Sequence, residues 1–191
     1  MTKPADVVVI AGSPSSVSRS AYVLRAIGER LEARGLAVRT FAVHDLPAED
    51  VLRGRSDSPE IAALLAAIRG ARALVLGTPV YKAVYSGALK AVVDLIPPDG
   101  LEGKVTLGVA TARADAHGAT VDRAFTELFR FFRGAHALPT FFLLDAEIAS
   151  KDGSYQIDPQ AVARFDEVAA QLSGALDALA KPDDARGRSQ L

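Results

Sequence analysis

Short apolar runs alternate with helical patterns along this chain, and the alternation limits its fold more than any other feature. Several runs are continuously apolar, such as "VVVI" and "ALVLG", which is typical of strands covered by helices on both faces. Five strand–helix units with short connections predict one doubly wound α/β domain with a parallel sheet. Strands are predicted at 6–12, 37–43, 71–79, 104–111 and 137–146, and helices at about 18–34, 59–69, 86–96, 117–133 and 158–180.

The last predicted helix marks the end of this domain. It opens with Asp158 as the N-cap and Pro159 at the first helical position, and it carries an apolar stripe that can dock on the sheet. The residues after it, "KPDDARGRSQL", are polar. The sequence therefore predicts a domain over residues 1–180 and a polar C-terminal tail over 181–191.

The composition argues against several classes of protein. A net charge of −1, without a basic stripe, disfavours binding to nucleic acid or to a membrane surface. The absence of cysteine excludes disulfides, thiolate catalysis and cysteine-ligated metals. His44, His117 and His136 are too scattered for a metal-ligand pattern, so no metal site is predicted. The apolar run near the N-terminus is neither a signal peptide nor a membrane span, and a cytoplasmic location is expected.

A serine-rich loop, "GSPSSVSRS", joins the first predicted strand to the first helix. Such a loop at a helix N-terminus can bind an anion through hydroxyl groups, N–H groups and the helix dipole. It lacks the three glycines of the dinucleotide motif and the glycine-lysine pair of the triphosphate loop, which favours a terminal monophosphate. The structural alternative is a helix N-cap, but a cap needs one serine, whereas the loop offers Ser13, Ser15, Ser16, Ser18 and Ser20 beside Arg19.

A second loop, "GTPVYKAVYSGALK", follows the third predicted strand and ends at the same sheet edge. It combines a rigid proline with Tyr81 and Tyr85, which suits a planar ring with polar edges. The alternative interpretation is a structural turn whose tyrosines pack on the next helix.

Together the two loops resemble those of the flavodoxin-like NADPH-dependent FMN reductases, in particular the alkanesulfonate-system branch of that family. The segment from Thr78 to Lys90 matches the family pattern nearly without change, and the serine loop matches at Gly12, Ser13, Pro14, Ser18, Arg19 and Ser20. The likeness extends over about residues 6–180. It implies a flavodoxin-like fold, with a five-stranded parallel sheet in the order 2-1-3-4-5 and helices on both faces.

The resemblance also implies an activity. Members transfer hydride from NADPH to FMN, with NADH as a second candidate donor, and supply reduced flavin to a partner monooxygenase in sulfonate or sulfur assimilation. They often form homo-oligomers, here expected to be a dimer or a tetramer. Hydride passes between cofactors, so no dedicated catalytic acid or base is expected.

The resemblance assigns roles to particular residues. Ser13, Ser18, Arg19 and Ser20 would hold the FMN phosphate. Pro79, Val80, Tyr81 and Thr111 would shape the ring site, with Ser86 and Gly87 beside them, and "ATARADAHG" (110–118) would complete the pocket. The candidates for the NADPH phosphates are Lys82, Lys90 and Arg113, each of which is alternatively a solvated surface charge.

Three positions depart from the family pattern. Ser15 stands where many members have an arginine, and Arg113 lies in a loop that reads A-T-G-G in close relatives. Arg123 replaces a tyrosine that accompanies an inserted bulge in the helix at 117–133, so no bulge is assumed here.

Two other functions stay open from the sequence. One is a reductase that retains FMN and reduces quinones, azo compounds or metal oxyanions. The other is a flavodoxin-type electron carrier, which is disfavoured because such carriers are usually strongly acidic and this chain is nearly neutral.

Overall fold

The structure is a computed structural model that describes residues 5–151 and 154–180. The predicted tail, 181–191, lies outside the described residues. The strands are Val7–Ala11 (β1), Val38–Ala42 (β2), Ala73–Pro79 (β3), Val105–Ala112 (β4), His136–Ala137 (β5), Phe141–Leu144 (β6), Ile148–Lys151 (β7) and Ser154–Ile157 (β8). The helices are Arg19–Glu32 (α1), Ala48–Leu52 (α2), Pro59–Gly70 (α3), Gly87–Val93 (α4), His117–Phe131 (α5) and Pro159–Ala180 (α6).

The main sheet is parallel throughout and has the order β2-β1-β3-β4, followed by β5 and β6 in the fifth position. In the register, Val7 lies beside Val38 of β2 on one side and beside Ala73 of β3 on the other. β1 is therefore an inner strand, and β2 and β3 lie on opposite sides of it. The predicted order 2-1-3-4-5 is confirmed. The carboxyl ends of β1 and β3 lie next to each other at the point where the strand order reverses, which is where open α/β sheets bind ligands.

Alternate residues of each central strand enter two separate cores. Val7 and Val9 of β1 pack with α1 and α6, whereas Val8 and Ile10 pack on the other face with α3, α4 and α5. Both faces are therefore covered, and this explains why the strands read as continuous apolar runs rather than as an alternating pattern.

The prediction of one continuous strand at 137–146 is wrong. It is divided into β5 and β6 because Pro139 has no N–H group for the ladder. The amide of Leu138 still donates to the Thr106 carbonyl at 2.8 Å, but the amide of Thr140 turns away to the Asp122 carboxylate at 3.3 Å. The pairing with β4 resumes at Phe141.

Two elements were missing from the sequence prediction. One is the short helix α2, and the other is an antiparallel hairpin formed by β7 and β8. Ile148 of this hairpin is fully buried in the core beside α1 and α6, and Tyr155 and Ile157 are partly buried against the same core. The hairpin is therefore a packed part of the domain, and it places Tyr155 near the N-terminus of α1.

The ends of two helices differ from the prediction. The helix predicted at 86–96 ends at Val93, and Leu95 and Ile96 continue as tight turns that lead into Pro97. The helix predicted at 117–133 ends at Phe131 and is α-helical past Arg123, without an inserted bulge.

Lys104 directly precedes β4 and therefore lies at the amino edge of the sheet, opposite the carboxyl ends of the strands. Its Nζ donates to the carbonyl oxygens of Arg69 and Ala71 at 3.1 and 2.6 Å. Burial lowers the pKa of this ammonium group, because the charged form is desolvated.

Within the part of the chain that the structure describes, none of the helices is both long and apolar enough to cross a membrane.

Gly108 of β4 provides a test of how closely α5 packs on the sheet. A Cβ at this position would lie 2.5 Å from Cδ2 of Phe125, whose ring is buried and stacked on Phe129 at 5.7 Å. Gly108→Ala should therefore lower the free energy of unfolding by about 1–3 kcal/mol through overpacking. Gly174→Ala is the matched control, since nothing lies within 4 Å of its added Cβ and the change should stabilise α6 by about 0.5–1 kcal/mol. Urea unfolding of both variants measures the difference, and equal effects would contradict the packing argument.

Candidate functional site

A cavity of about 470 Å³ opens at the carboxyl edge of the sheet, beside the reversal point between β1 and β3. This volume lies within the range of small-molecule and cofactor sites. Four strand ends contribute to it, namely the loops after β1, β3, β4 and β6, and β8 closes one side. The predicted residues that line it are Ser13, Ser18, Arg19, Ser20, Pro79, Val80, Tyr81, Thr111 and Arg113.

The serine loop lines the cavity with hydroxyl groups, two of which are almost inaccessible. Ser13 is 2% exposed and Ser20 is 1% exposed, yet both face the cavity. The Ser13 hydroxyl accepts a hydrogen bond from the Ser15 amide at 3.2 Å, so the loop folds back over the Ser13 side chain. The hydroxyls of Ser18 and Ser20 lie 2.8 Å apart. The loop therefore presents a compact group of polar atoms beside the first turn of α1.

Ser18 serves as the N-cap of α1, as the structural alternative proposed for one serine of this loop. Its hydroxyl accepts from the Ala21 amide at 3.4 Å. Ser18 also lines the cavity, so the cap and the anion site share this residue. Ser13 and Ser20 do not cap the helix; their hydroxyls bond to the Ser15 amide and to Ser18, and each keeps further hydrogen-bonding capacity for a ligand.

Arg19 lies on the cavity wall, held by three groups from the segment after β6. Its Nη1 lies 4.0 Å from an Asp145 carboxylate oxygen, and its Nε donates to the Ile148 carbonyl at 3.3 Å. Its guanidinium carbon is 5.6 Å from the centre of the Tyr155 ring. The sequence analysis missed Asp145 and Tyr155, both of which line the cavity. Their contacts orient Arg19 before any ligand binds.

The side of the cavity predicted to hold a planar ring is formed by the adjacent carboxyl ends of β3 and β4. Pro79 pairs with Thr111 in the register, and the Val80 amide donates to the Thr111 carbonyl at 2.8 Å. Thr111 is 3% exposed, whereas Tyr81 is 48% exposed and leaves part of its ring open to solvent. The two loops therefore form adjoining walls, one of them bearing an accessible aromatic ring.

The residues after Val80 form a tight hairpin turn with strained backbone. The amides and carbonyls of Tyr81 and Val84 bond to each other at 2.9 and 3.3 Å. Lys82 and Ala83 between them have φ of 51° and 75°, the left-handed conformation that two-residue hairpin turns require and that glycine or asparagine usually supplies. Strain of this kind is concentrated at ligand sites, where the surrounding structure holds it in place.

Four predicted site residues do not line the cavity: Ser86, Gly87, Lys82 and Lys90. Ser86 is 1% exposed and connects three elements, since its amide donates to the Thr78 hydroxyl at 2.9 Å and its own hydroxyl donates to the Gly12 carbonyl. The same hydroxyl caps α4 by accepting from the Leu89 amide at 3.0 Å. Ser86 therefore positions the two ligand loops, and Gly87 is the first residue of α4.

Neither of the two lysines in this group lines the cavity. Lys82 is at the tip of the strained turn, and Lys90 is paired with Asp94 on the outside of α4. Tyr85 packs its ring 5.6 Å from that of Phe125, so the structural alternative applies to this tyrosine. Of the three candidates for the NADPH phosphates, Arg113 is the one that lines the cavity.

Gly12 explains how β1 and β3 approach so closely at this edge. Its amide donates to the Gly77 carbonyl at 2.7 Å, and an added Cβ would lie 2.6 Å from that same oxygen. It would also lie 2.7 Å from Cβ of Leu89. A side chain at position 12 would therefore push the serine loop away from the neighbouring strand end.

The fold is shared with solved flavoproteins. The crystal structure of an NADH:FMN oxidoreductase, EmoB, superposes with a TM-score of 0.75 at 29% identity, covering 94% of this chain and 92% of the other. A flavodoxin from Streptococcus pneumoniae superposes with a TM-score of 0.58 at 16% identity, covering 88% of this chain and 97% of the other, and shares the fold alone. The fold and the site thus define a protein of the flavodoxin-like class.

Sequence comparison narrows the class to a family. The profile described as NADPH-dependent FMN reductase matches residues 5–148. An FMN reductase (NADPH) of Pseudomonas putida is 40% identical over 148 residues, covering 78% of this chain and 75% of the relative. The NADH-dependent FMN reductase SfnF of the same species is 32% identical over 166 residues, covering 85% and 88%. This chain belongs to the NADPH-dependent FMN reductase family.

The family membership confirms the resemblance inferred from the two loops, and with it the oxidoreductase class. FMN and a nicotinamide nucleotide, the cofactors named in the sequence analysis, are likewise confirmed. The residues that bind them stay predictions. Buried hydroxyls beside an arginine suit a phosphate, and adjoining walls with an accessible aromatic ring suit a flavin, so the cavity fits FMN.

The serine loop can be tested with two ligands that differ only in the phosphate. Replacing Ser18 and Ser20 together by alanine should weaken FMN binding about 10- to 100-fold, because two hydrogen bonds to a charged group are lost. Riboflavin, which lacks the phosphate, should bind the variant as it binds the wild type. Flavin fluorescence titration measures both affinities, and the melting temperature separates binding from the lost cap of α1. An unchanged FMN affinity would remove the phosphate from this loop.

Proposed function

We propose that this protein transfers hydride from NADPH to FMN, with NADH as a second donor, and releases the reduced flavin to a partner monooxygenase. The observation that carries the proposal is the convergence of the serine loop, the Pro79–Tyr81 loop and the Thr111–Arg113 loop on one cavity. These loops come from three separate strand ends, so they meet only because of the strand order.

The chain's part in the reaction is to bind and orient. When bound, FMN supplies the ring that accepts the hydride. Ser13, Ser18, Arg19 and Ser20 would hold the phosphate, which would set how far the ring reaches along the sheet edge. Pro79 and Thr111 form rigid walls, because the first has a fixed φ and the second is buried at a strand end. Such fixed placement lowers the barrier by holding the reacting rings in contact.

Arg113 is our candidate for the phosphates of the nicotinamide nucleotide. It follows β4 directly and lines the cavity beside Thr111, whereas Arg19 lies at the serine loop, where we assign it to the FMN phosphate. An exposed guanidinium at the cavity mouth attracts an anionic nucleotide without a large desolvation cost.

Release of flavin is supported by the openness of the cavity rim. Val17 is 70% exposed and Tyr81 is 48% exposed, and both line the cavity from opposite loops. A ligand between them stays accessible to solvent and to a second protein. The relatives are named as reductases of FMN itself, which fits FMN as an exchangeable substrate. Because NADPH is a cytoplasmic reductant, we also place the protein in the cytoplasm.

Turnover with and without free flavin tests this proposal. NADPH oxidation by the purified protein should depend on added FMN and saturate with it, and the solution should be colourless before FMN is added. NADH in place of NADPH measures the donor preference. Arg113→Gln should raise KM for NADPH several-fold and leave KM for FMN unchanged. Reduction of a quinone by protein-bound FMN, without a requirement for free FMN, would support the FMN-retaining reductase instead. If neither NADPH nor NADH is oxidised, a flavodoxin-type electron carrier is the remaining function.

We further propose that the protein is a homo-oligomer, a dimer or a tetramer, that associates through α4 and α5. A groove of about 550 Å³ runs between these helices. Most of its lining is apolar, including Tyr85, Leu128 and Phe131, and it also contains the charged side chains of Lys90, Asp94 and Glu127. Phe131 is 66% exposed, although Phe129 and Phe132 beside it are buried. Large exposed aromatic side chains beside an apolar groove mark association surfaces.

Phe131→Asp should shift the protein to a smaller assembly, because it places a charge in the proposed contact. Analytical ultracentrifugation measures the mass of both forms. Leu179→Asp is the matched control, since Leu179 is 42% exposed on α6, which packs on the opposite face of the sheet from α4 and α5. A wild-type protein that sediments as a monomer would exclude the association.

A further inference from the structure

The charged side chains around the flavin cavity do not all suit an anionic ligand. Arg19 and Arg113 line it together with Asp145, which is the one carboxylate in the lining that the structure describes. A phosphate monoester carries about −1.5 to −2 charges at neutral pH. A carboxylate in the same lining therefore repels the group that the two arginines attract.

The backbone that carries Asp145 is held without the help of its side chain. Asp145 directly follows β6 and begins a short 3₁₀ turn, Asp145–Glu147. Glu147 holds this turn, because its carboxylate accepts from the Leu144 amide at 2.7 Å and from the Arg164 guanidinium at 2.7 Å. A neutral side chain at position 145 should leave the turn in place, so the fold does not depend on the charge of Asp145.

Arg19 is the cation that Asp145 faces. Its Nη1 lies 4.0 Å from Asp145 Oδ2, an ion-pair distance that is too long for a hydrogen bond. The Nε atom donates to the Ile148 carbonyl at 3.3 Å, so the guanidinium stays anchored whether or not residue 145 is charged. The Arg19 side chain is 38% exposed, and the N–H groups on its Nη atoms can reach a ligand.

Arg19 also belongs to the group of polar side chains assigned to the phosphate. It is the first residue of α1 and lies between Ser18 and Ser20, whose hydroxyls are 2.8 Å apart and line the same cavity. A phosphate bound by these hydroxyls and by Arg19 would share the guanidinium with Asp145. Two anions beside one cation repel each other, so each weakens the binding of the other.

We propose that Asp145 limits the affinity of this protein for FMN by competing with the flavin phosphate for Arg19. The inference rests on the proposed function, in which the reduced flavin must leave the cavity. Hydroxyl groups and an arginine bind a phosphate strongly, and strong binding slows release. Asp145 would oppose that binding at the phosphate end of the flavin, so release becomes faster without any change in the walls that hold the ring.

The direct test is Asp145→Asn, which removes the charge and keeps the size of the side chain. Fluorescence titration should give a Kd for FMN about three- to tenfold lower than that of the wild type, because one repulsive interaction with the phosphate is lost. Release of FMN, followed by stopped-flow fluorescence, should slow by a similar factor, since such changes act mainly on dissociation. Asp145→Glu keeps the charge and should bind FMN as the wild type does.

The direction of the change separates this role from a structural one. If Asp145 served only to orient Arg19, its replacement would weaken FMN binding. Inorganic phosphate is the second probe: it should compete with FMN more strongly in Asp145→Asn than in the wild type, and the difference should shrink at high salt. Asp166→Asn is the matched control, because Asp166 pairs with Arg30 at 2.8 Å near the other end of α1, and neither residue lines the cavity.

Each other outcome overturns the inference in a recognisable way. An unchanged or higher Kd for FMN in Asp145→Asn, in a protein that oxidises NADPH with FMN, leaves the proposed function intact and excludes the competition. A lower KM for NADPH with an unchanged Kd for FMN assigns Asp145 to the nicotinamide nucleotide. If the wild type neither binds FMN nor oxidises NADPH, the proposed function fails. The shift in melting temperature with inorganic phosphate then still tests the competition, which requires Asp145→Asn to bind phosphate more tightly than the wild type.

Discussion

The hydrogen bonds of Ser86 join the parts of the molecule on which the site depends. One side chain and one amide connect the end of β1, the end of β3 and the start of α4, through Gly12, Thr78 and Leu89. All of these contacts are buried, so their loss would leave polar groups without water or a partner. The serine loop begins directly after Gly12, and the tyrosine-bearing turn lies between Thr78 and Ser86. Their separation is therefore fixed by the interior of the protein and not by the loops themselves.

Two further devices hold the cavity walls in place. The strained turn at Lys82 and Ala83 keeps Tyr81 beside the ring wall, at a cost that the bonds between Tyr81 and Val84 offset. On the opposite side, the β7–β8 hairpin carries Tyr155 to Arg19, and the buried Ile148 anchors that hairpin to the core. The Arg19 wall of the cavity thus depends on packing between segments that are more than one hundred residues apart in the chain.

Much of the fold and part of the site could be predicted because they depend on local patterns. Continuous apolar strands indicated a parallel sheet with helices on both faces. The serine loop could be placed at a strand end because it directly follows the first apolar run. The break at Pro139 was readable in principle, since proline cannot donate to a ladder, but the apolar run on either side masked it. The hairpin also had a signal, as an Asp152-Gly153 pair separates its strands in the sequence.

By itself, the sequence determined the order of the main strands and helices, the position of the two cavity loops and the family, because periodicity and motif spacing are properties of neighbouring residues. Only the tertiary structure decided that Ser86 is an internal connector while Arg113 lines the cavity, although both lie in segments that join a strand to the next helix. It alone brought Asp145 and Tyr155 to Arg19 and Tyr22 to Tyr155. These contacts arise from the docking of a hairpin on a helix, and the burial that drives such docking depends on the whole core and on no single segment.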